Sequence, residues 1–258
     1  MGKVYLLGAG PGAPDLLTMR AARILEQADV VFHDALVHSE VIAIASRARI
    51  VPVGKRCGEI STDQRFINRC LIEAATRYNL VVRLKGGDPM LFGRAQEELD
   101  ALAAHGVDCE VVPGVTAALA AAAELKVSLT RRGISRSVVL STPRIGIDQR
   151  AGSWIEAVVK ADTAVFYMGV GEAPLLCDAL KQAGLAGDRP VAIVQSASLP
   201  SRKVLLTTLN ELPRRAAEVP PGGPTLLVMG EVLREVLNTA HSNEQFEAQL
   251  LPVRAGRA

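Results

Sequence analysis

Short apolar segments alternate along the first half of the chain with longer segments whose apolar residues recur at helical spacing. The alternation predicts strands at residues 4–7, 30–32, 50–53 and 81–84, and helices at 18–28, around 40–45, 63–77 and 94–104. Strands that alternate with helices form a mainly parallel sheet that is covered on both faces. Such sheets bind ligands at the carboxyl ends of their strands, so we expect the functional loops there.

The second half of the chain predicts a separate α/β domain. An alanine-rich helix is expected at residues 117–123, strands at 137–140, 163–167, 191–194, 204–208 and 225–228, and helices between some of them. The strand at 204–208 follows its predecessor too closely for a helical crossover, so the second sheet should be mixed. We place a domain boundary at Pro113-Gly114, giving domains at 1–114 and 115–240 and a polar tail at 241–258.

Composition excludes several classes of function. A formal net charge of +2 is too small for a general polyanion-binding field, and aromatic residues at 3% are too few for a nucleic-acid stacking surface. No apolar run reaches the ~20 residues that span a bilayer. The four cysteines lie far apart and share no metal-ligand spacing with the four histidines. With no signal peptide, we expect a cytoplasmic protein with free thiols and no metal.

The first glycine-rich loop follows the first predicted strand. Its sequence, Gly8-Ala9-Gly10-Pro11-Gly12-Ala13, satisfies the dinucleotide-binding pattern, and Asp34 ends the next strand, where an acid would hold a ribose. A nicotinamide-dependent oxidoreductase is therefore one hypothesis. In that pattern, however, the helix opens among the glycines, whereas this helix is predicted to be capped later, at Asp15 or Thr18.

A second glycine-rich loop follows the strand at residues 81–84. Gly86-Gly87 would let a ligand approach the backbone closely, and Asp88 can accept hydrogen bonds from an amine or a hydroxyl. The alternative is an ordinary Gly-Asp-Pro turn. Two such loops at neighbouring strand ends favour a ligand-binding cleft.

Basic residues form a third group of candidates. Leu129-Thr130-Arg131-Arg132 and Arg136, together with Lys55-Arg56 and Arg94, would bind carboxylates if they converged in space. The alternative is a set of solvated surface side chains.

The motifs together resemble one known family. They are Gly8-Ala9-Gly10-Pro11-Gly12 with Asp15-Leu16-Leu17-Thr18, His33-Asp34-Ala35-Leu36-Val37, Gly54-Lys55-Arg56, Arg83-Leu84-Lys85-Gly86-Gly87-Asp88-Pro89 with Phe92-Gly93-Arg94 and Glu97-Glu98, Val112-Pro113-Gly114-Val115-Thr116-Ala117, Phe166-Tyr167-Met168-Gly169, Pro190-Val191-Ala192 and Gly230-Glu231-Val232. In order and spacing, they are similar to those of the uroporphyrinogen-III C-methyltransferases, within the tetrapyrrole methylase family.

The resemblance implies a fold, a reaction and an assembly. It implies a two-domain α/β fold with a mainly parallel amino-terminal sheet, a mixed carboxyl-terminal sheet and the active site in the cleft between them. The implied reaction is S-adenosylmethionine-dependent C-methylation of uroporphyrinogen III to precorrin-2 via precorrin-1, a step towards sirohaem and cobalamin. It further implies a homodimer and no metal.

Individual roles follow by position in the family motifs. The implied cofactor-binding residues are Pro11, Gly86, Gly87, Asp88, Leu91, Thr116, Ala117, Met168 and Ala197. Asp34 and Lys55 match a proton acceptor and a proton donor. Arg94 matches a catalytic position, and Arg94, Glu97 and Arg132 match positions that meet the tetrapyrrole.

Three segments depart from the family pattern. Thr142-Pro143-Arg144 stands where Thr-Gly-His is usual, Ser128-Leu129-Thr130-Arg131-Arg132 replaces Pro-Leu-Thr-His-Arg, and Gly93-Arg94-Ala95-Gln96-Glu97-Glu98 replaces Gly-Arg-Gly-Gly-Glu-Glu. Proline fixes the backbone, and the lost imidazoles can no longer transfer protons. These departures leave two further alternatives, a divergent paralogue that methylates another tetrapyrrole and a binding protein without turnover.

Overall fold

The chain divides into two compact units. The computed structural model describes residues 1–54, 63–143, 153–240 and residue 242. The first unit comprises Met1–Ala121 with Ser196–Arg202, and the second comprises Ala122–Gln195 with the chain from Lys203 onward. The predicted boundary between residues 114 and 115 stays a prediction. The predicted tail, apart from Ser242, lies outside the described residues.

The first unit is built on a parallel sheet of five strands. They are β1 (Lys3–Gly8), β2 (Val30–His33), β3 (Arg49–Pro52), β4 (Leu80–Lys85) and β5 (Cys109–Val112). Their order is β3-β2-β4-β1-β5, and every neighbouring pair is parallel. The prediction of a parallel sheet is confirmed, although β5 was not among the predicted strands.

Helices cover both faces of this sheet, as predicted. They are α1 (Met19–Gln27), α2 (Ser39–Ala43), α3 (Gln64–Arg77) and α4 (Ala95–Ala104), while α5 (Ala117–Leu125) contains the point where the two units divide. Successive residues of a strand face opposite sides of a sheet. Leu6 of β1 therefore packs in one apolar cluster with Leu71 of α3, and Leu7 packs in another with Leu25 of α1 and Val41 of α2.

The second unit contains a mixed sheet of five strands. They are β6 (Val138–Ser141), β7 (Thr163–Tyr167), β8 (Pro190–Gln195), β9 (Lys203–Thr208) and β10 (Thr225–Gly230), in the order β6-β7-β10-β8-β9. Only β6 and β7 pair in parallel, so the predicted mixed sheet is confirmed. Helices α6 (Ser153–Lys160), α7 (Ala173–Gln182) and α8 (Leu212–Ala217) complete the unit. Among the described helices of either unit, none has the length and apolar character needed to cross a membrane.

Candidate functional site

Three loops are tied together at the carboxyl end of the first sheet. The loop after β1 binds the loop after β4 through a two-way backbone pair, in which Gly87 N–H donates to Gly10 O over 2.7 Å and Gly10 N–H donates to Gly87 O over 3.2 Å. The loop after β5 begins at Pro113-Gly114 and packs against the other two. We call Gly8, Gly10, Gly87 and Gly114 the glycine junction.

The glycines of these loops fall into two kinds. A Cβ on Gly114 would lie 2.3 Å from the Gly87 carbonyl oxygen, and a Cβ on Gly8 would lie 2.6 Å from the Gly114 Cα, so these positions are closed by backbone. A Cβ on Gly87 would come no nearer than 3.9 Å to any atom, and one on Gly86 no nearer than 3.6 Å. The backbone at Gly86-Gly87 is therefore open to the approach of a ligand.

Asp88 fastens the second loop to the third. Its Oδ1 accepts a hydrogen bond from Met90 N–H over 2.8 Å, and its Oδ2 accepts one from Gly114 N–H over 2.9 Å. The sequence predicted a ligand contact for this carboxylate, and the structure adds a role in holding the junction. Since each carboxylate oxygen has two acceptor sites, both oxygens retain capacity for a ligand donor.

The first loop does not lead directly into a helix. A short 3-10 helix (Pro14–Leu16) follows it, and α1 begins only after Thr18, whose side chain accepts a hydrogen bond from Ala21 N–H over 3.2 Å. Of the two predicted caps, Asp15 and Thr18, the structure confirms Thr18. The helix that follows the first loop therefore does not open among its glycines, in contrast to pyrophosphate-binding loops.

The strand order also argues against a dinucleotide site. In the dinucleotide-binding order, the first strand lies beside the second. Here β4 lies between them, so Asp34 at the end of β2 is adjacent to β4 rather than to the first glycine loop. Asp34 is thus not placed to hold a ribose that is bound at the first loop, and the nicotinamide hypothesis loses the acid on which it depended.

Asp34 instead meets a cluster of buried polar side chains. Nη2 of Arg83 donates to Asp34 Oδ1 over 2.5 Å, and Nε of Arg83 donates to Glu98 Oε1 over 3.0 Å. Glu98 also accepts from Lys85 Nζ, at 3.1 Å for each oxygen, and from Gln64 Nε2 at 3.1 Å. We call Gln64, Arg83, Lys85 and Glu98 the buried charge cluster.

The cluster contains two cations, Arg83 and Lys85, and one anion, Glu98. The carboxylate of neighbouring Asp34 balances the remaining positive charge. The side chains of Arg83, Lys85 and Glu98 are at most 3% exposed, whereas that of Asp34 is 30% exposed. Burial, with Arg83 nearby, lowers the pKa of Lys85, and Glu98 opposes this shift. Burial also acts to lower the pKa of Arg83, but Asp34 and Glu98 outweigh it and the net shift is upward. Arg83 is therefore a permanent cation directed at Asp34.

Residues 3–213 match the model of the family described as Tetrapyrrole (Corrin/Porphyrin) Methylases. The chain belongs to this family. A siroheme synthase of Azotobacter vinelandii is 44% identical over 235 residues, which are 91% of this chain but 51% of the relative. The chain therefore spans about half the length of the siroheme synthases that it matches.

Two other relatives match the chain over nearly their whole length. A uroporphyrinogen-III C-methyltransferase of Pseudomonas aeruginosa is 44% identical over 237 residues, covering 92% of this chain and 96% of the relative. A uroporphyrin-III C-methyl transferase of Thermus thermophilus, solved in complex with S-adenyl homocysteine, superposes with a TM-score of 0.80. It is 39% identical and covers 90% of this chain and 99% of its own.

Most of the predicted cofactor residues lie in the first unit. Those in the loops at the end of the sheet, or at the start of α5, are Pro11, Gly86, Gly87, Asp88, Leu91, Thr116 and Ala117. Ala197 also belongs to the first unit and is buried. Met168 follows β7 in the second unit, where it has a φ of +56° and is half exposed. Their roles stay predictions.

The predicted substrate residues occupy exposed positions. Arg94, with a φ of +55°, precedes α4 and donates from Nε and Nη2 to the two carboxylate oxygens of Glu97, each over 2.7 Å. This hydrogen bonding lowers the pKa of Glu97. Arg132 is exposed in the second unit, and its neighbour Arg131 pairs with Glu235 at 2.9 Å.

Other predicted groups fall outside the described residues. Lys55, Arg56 and Arg144 belong to this set, so the predicted proton donor and the convergence of the basic patch stay predictions. Within the described ranges, no three His, Cys, Asp or Glu side chains group together as metal ligands do.

The buried charge cluster was not predicted from the sequence. Arg83, Lys85 and Glu98 belong to motifs of the family pattern that carried no individual role, and Gln64 belongs to none of them. A signal for Glu98 was present, because Ala95, Glu98 and Leu102 share one face of α4 at helical spacing, and all three are buried. Arg83 carried a similar signal, as a charged residue inside the apolar strand β4.

Proposed function

We propose that the chain is a methyltransferase that uses S-adenosylmethionine to methylate carbon atoms of uroporphyrinogen III, giving precorrin-2 via precorrin-1 in the synthesis of sirohaem and cobalamin. The observation that carries the proposal is the match along 96% of the Pseudomonas aeruginosa relative, which bears the name of this activity. The Thermus thermophilus relative in complex with S-adenyl homocysteine supports the choice of methyl donor.

The glycine loops of the first unit suit this cofactor. The open backbone at Gly86-Gly87 gives a flat surface for an adenosyl group or an amino-acid moiety, and Asp88 keeps acceptor capacity for a hydroxyl or an ammonium. We assign Pro11, Gly86, Gly87, Asp88, Leu91, Thr116, Ala117, Met168 and Ala197 to this site. When bound, S-adenosylmethionine supplies a sulfonium-activated methyl group.

The chain's own residues then have to orient the tetrapyrrole and accept a proton. Asp34 is partly exposed and Arg83 orients its carboxylate, so it is suited to take the proton that the macrocycle loses after a ring carbon is methylated. Arg94 presents a bidentate donor pair in which a substrate carboxylate would replace Glu97. Arg132 is assigned to the same substrate, and Lys55 is assigned as the proton donor.

We also propose that the active protein is a cytoplasmic homodimer. The support is the resemblance in sequence to the family. Light scattering on the eluate of a size-exclusion column measures the mass, and a value near twice that of the 27.4 kDa chain is expected. A monomer that transfers methyl groups would contradict this part of the proposal.

Anaerobic incubation with uroporphyrinogen III and methyl-labelled S-adenosylmethionine tests the activity. Mass spectrometry should detect two labelled methyl groups per macrocycle. A single methyl group would mean that the second transfer is impaired. No transfer, with S-adenosylhomocysteine still bound, would overturn uroporphyrinogen III as substrate and favour a divergent paralogue. The altered Thr142-Pro143-Arg144 segment is the observation that motivates this alternative.

A further inference from the structure

We propose that Arg83 is a positioning residue that fixes the carboxylate of Asp34 for proton transfer, and that Glu98 fixes Arg83 in turn. The inference rests on the proposed function, in which Asp34 accepts a proton from the methylated ring. It adds two residues, Arg83 and Glu98, that act through Asp34 rather than on the substrate.

The guanidinium of Arg83 is held in three directions. Nε donates to Glu98 Oε1 over 3.0 Å, Nη1 donates to the backbone oxygen of Leu84 over 3.3 Å, and Nη2 donates to Asp34 Oδ1 over 2.5 Å. A guanidinium is planar, so two fixed donors determine the direction of the third. The position of Asp34 Oδ1 is therefore set from inside the sheet.

Glu98 is itself anchored before it reaches Arg83. Its side chain is fully buried, and Lys85 and Gln64 both donate to its carboxylate. Well-packed apolar residues often replace such a buried ionic group without loss of stability. The presence of Glu98 in this buried position is better explained by its contact with Arg83, because that contact orients Arg83 towards the partly exposed carboxylate of Asp34.

The side chain of Asp34 has rotational freedom that the contact with Arg83 would restrict. Its backbone is fixed, since Asp34 N–H donates to Leu84 O over 3.2 Å and Asp34 O accepts from Val37 N–H over 3.2 Å. Its carboxyl group extends from the end of β2 and is 30% exposed. Arg83 uses only Oδ1, so the direction of Oδ2 follows from the contact with Arg83.

The substitution Arg83→Lys in the 258-residue chain tests the inference. Lysine keeps a positive charge beside Glu98 but cannot reach both carboxylates with a planar fork. We expect kcat for methyl transfer to fall by about 10- to 100-fold, as for other residues that orient a reacting group, while KM for both substrates stays unchanged. The matched control is Arg20→Lys, an exposed arginine that pairs with Glu110, which should leave kcat unchanged.

A double-mutant cycle separates positioning from a general structural role. If Arg83 acts through Asp34, adding Arg83→Lys to Asp34→Asn should lower kcat no further than Asp34→Asn alone. Multiplicative losses, or a raised KM with unchanged kcat, would overturn the inference. If Arg83→Lys does not fold, Glu98→Asp keeps the charge and draws Arg83 away from Asp34, and the same cycle applies.

A crystal structure of the Arg83→Lys variant gives a readout that is independent of turnover. The Asp34 carboxylate should be rotated away from its wild-type direction while β2 and β4 are unchanged. An unmoved carboxylate would overturn the inference. If the wild-type chain does not methylate uroporphyrinogen III, the proposed function fails, and the crystal structure alone decides whether Arg83 positions Asp34.

Discussion

At the scale of single residues, two adjacent glutamates in α4 have opposite surroundings. Glu97 is half exposed and pairs with Arg94 at the surface, whereas Glu98 is fully buried between Arg83 and Lys85. Replacing Glu98 with glutamine leaves buried Lys85 without its acidic partner, and buried Arg83 with Asp34 alone. We expect Glu98→Gln to lower the free energy of unfolding by about 3–5 kcal/mol. Urea denaturation followed by circular dichroism measures this loss.

The matched control for this prediction is Glu97→Gln. An exposed ion pair contributes little, so the free energy of unfolding should change by no more than about 0.5–1 kcal/mol. Equal losses of unfolding free energy in the two variants would mean that buried Glu98 contributes no more to stability than exposed Glu97.

Burial also determines the reactivity of Cys109 in β5. Burial raises the pKa of its thiol to about 11, although a hydrogen bond with the Leu6 backbone opposes the shift. The thiolate is the reactive form, so alkylation by iodoacetamide at pH 8 should be far slower in the native chain than in urea. Peptide mass spectrometry measures both rates.

The raised pKa of Cys109 also has a definite effect on stability. The neutral thiol is favoured in the folded chain, so its contribution to stability is complete below the ordinary pKa of 9.0 and is lost as the pH rises towards 11.

In the alkylation experiment, native and urea-treated samples that label Cys109 equally fast at pH 8 would contradict the burial of this thiol.

The roles of single residues were only partly predictable from the sequence. Asp34 was identified because it ends a predicted strand, and the structure does place it there. Glu98, which binds the same Arg83 as Asp34, was missed because an acidic pair at the start of a helix is usually solvated. Only the spacing with Ala95 and Leu102 marked one of the two glutamates as buried. Contacts between β2, β4 and α4 depend on tertiary packing, which local pattern does not encode.

At the scale of elements, every described strand except β5 was predicted. β5 (Cys109–Val112) has only four residues, including Glu110, and it forms because the free edge of β1 is available to pair with it. All five strands of the second unit were predicted, since each contains a run of apolar or β-branched residues.

The glycine junction yields a prediction for the loops between these elements. A Cβ at Gly114 would lie 2.3 Å from the Gly87 oxygen and 2.9 Å from the Gly8 Cα, and both contacts are with backbone. Gly114→Ala should therefore force the loops apart, at a cost of about 1–3 kcal/mol in the free energy of unfolding. Urea denaturation measures the cost.

Gly171→Ala is the control for the junction. A Cβ at Gly171 would meet no atom within 4 Å, so the free energy of unfolding should stay within about 0.5 kcal/mol of the wild-type value. A Gly114→Ala protein as stable as this control would show that the three loops are not tightly packed.

At the scale of the whole chain, the sequence predicted the class of both sheets but not their strand order. Alternating strands and helices suffice to predict a parallel sheet, yet they do not determine that β4 lies between β2 and β1. That arrangement is decisive for function, because it places Asp34 beside Arg83 instead of beside the first glycine loop. The first glycine loop therefore resembles a dinucleotide-binding loop in sequence but does not have the neighbouring acidic residue of such a site.

Thermal unfolding of the 258-residue chain tests which cofactor binds to this arrangement of loops. A ligand at 100 times its Kd stabilises the state it binds by about 2.7 kcal/mol, which for a chain of this size is a rise of roughly 5–10 °C in Tm. We expect S-adenosylhomocysteine to produce this rise and NAD to produce none. A rise with NAD alone would restore the nicotinamide hypothesis.

The substitution Gly86→Ala locates that stabilisation at the second loop. A Cβ at Gly86 would project into open space, 3.6 Å from the Leu36 Cβ, so the Tm without ligand should match the wild-type value. The added methyl group would occupy the surface on which we place the cofactor, and the rise with S-adenosylhomocysteine should shrink or vanish. Gly171→Ala should keep the full rise, because it adds the same methyl group at an open position that is not among the residues assigned to the cofactor. A Gly86→Ala protein that responds as strongly as the wild type would place the cofactor elsewhere in the chain.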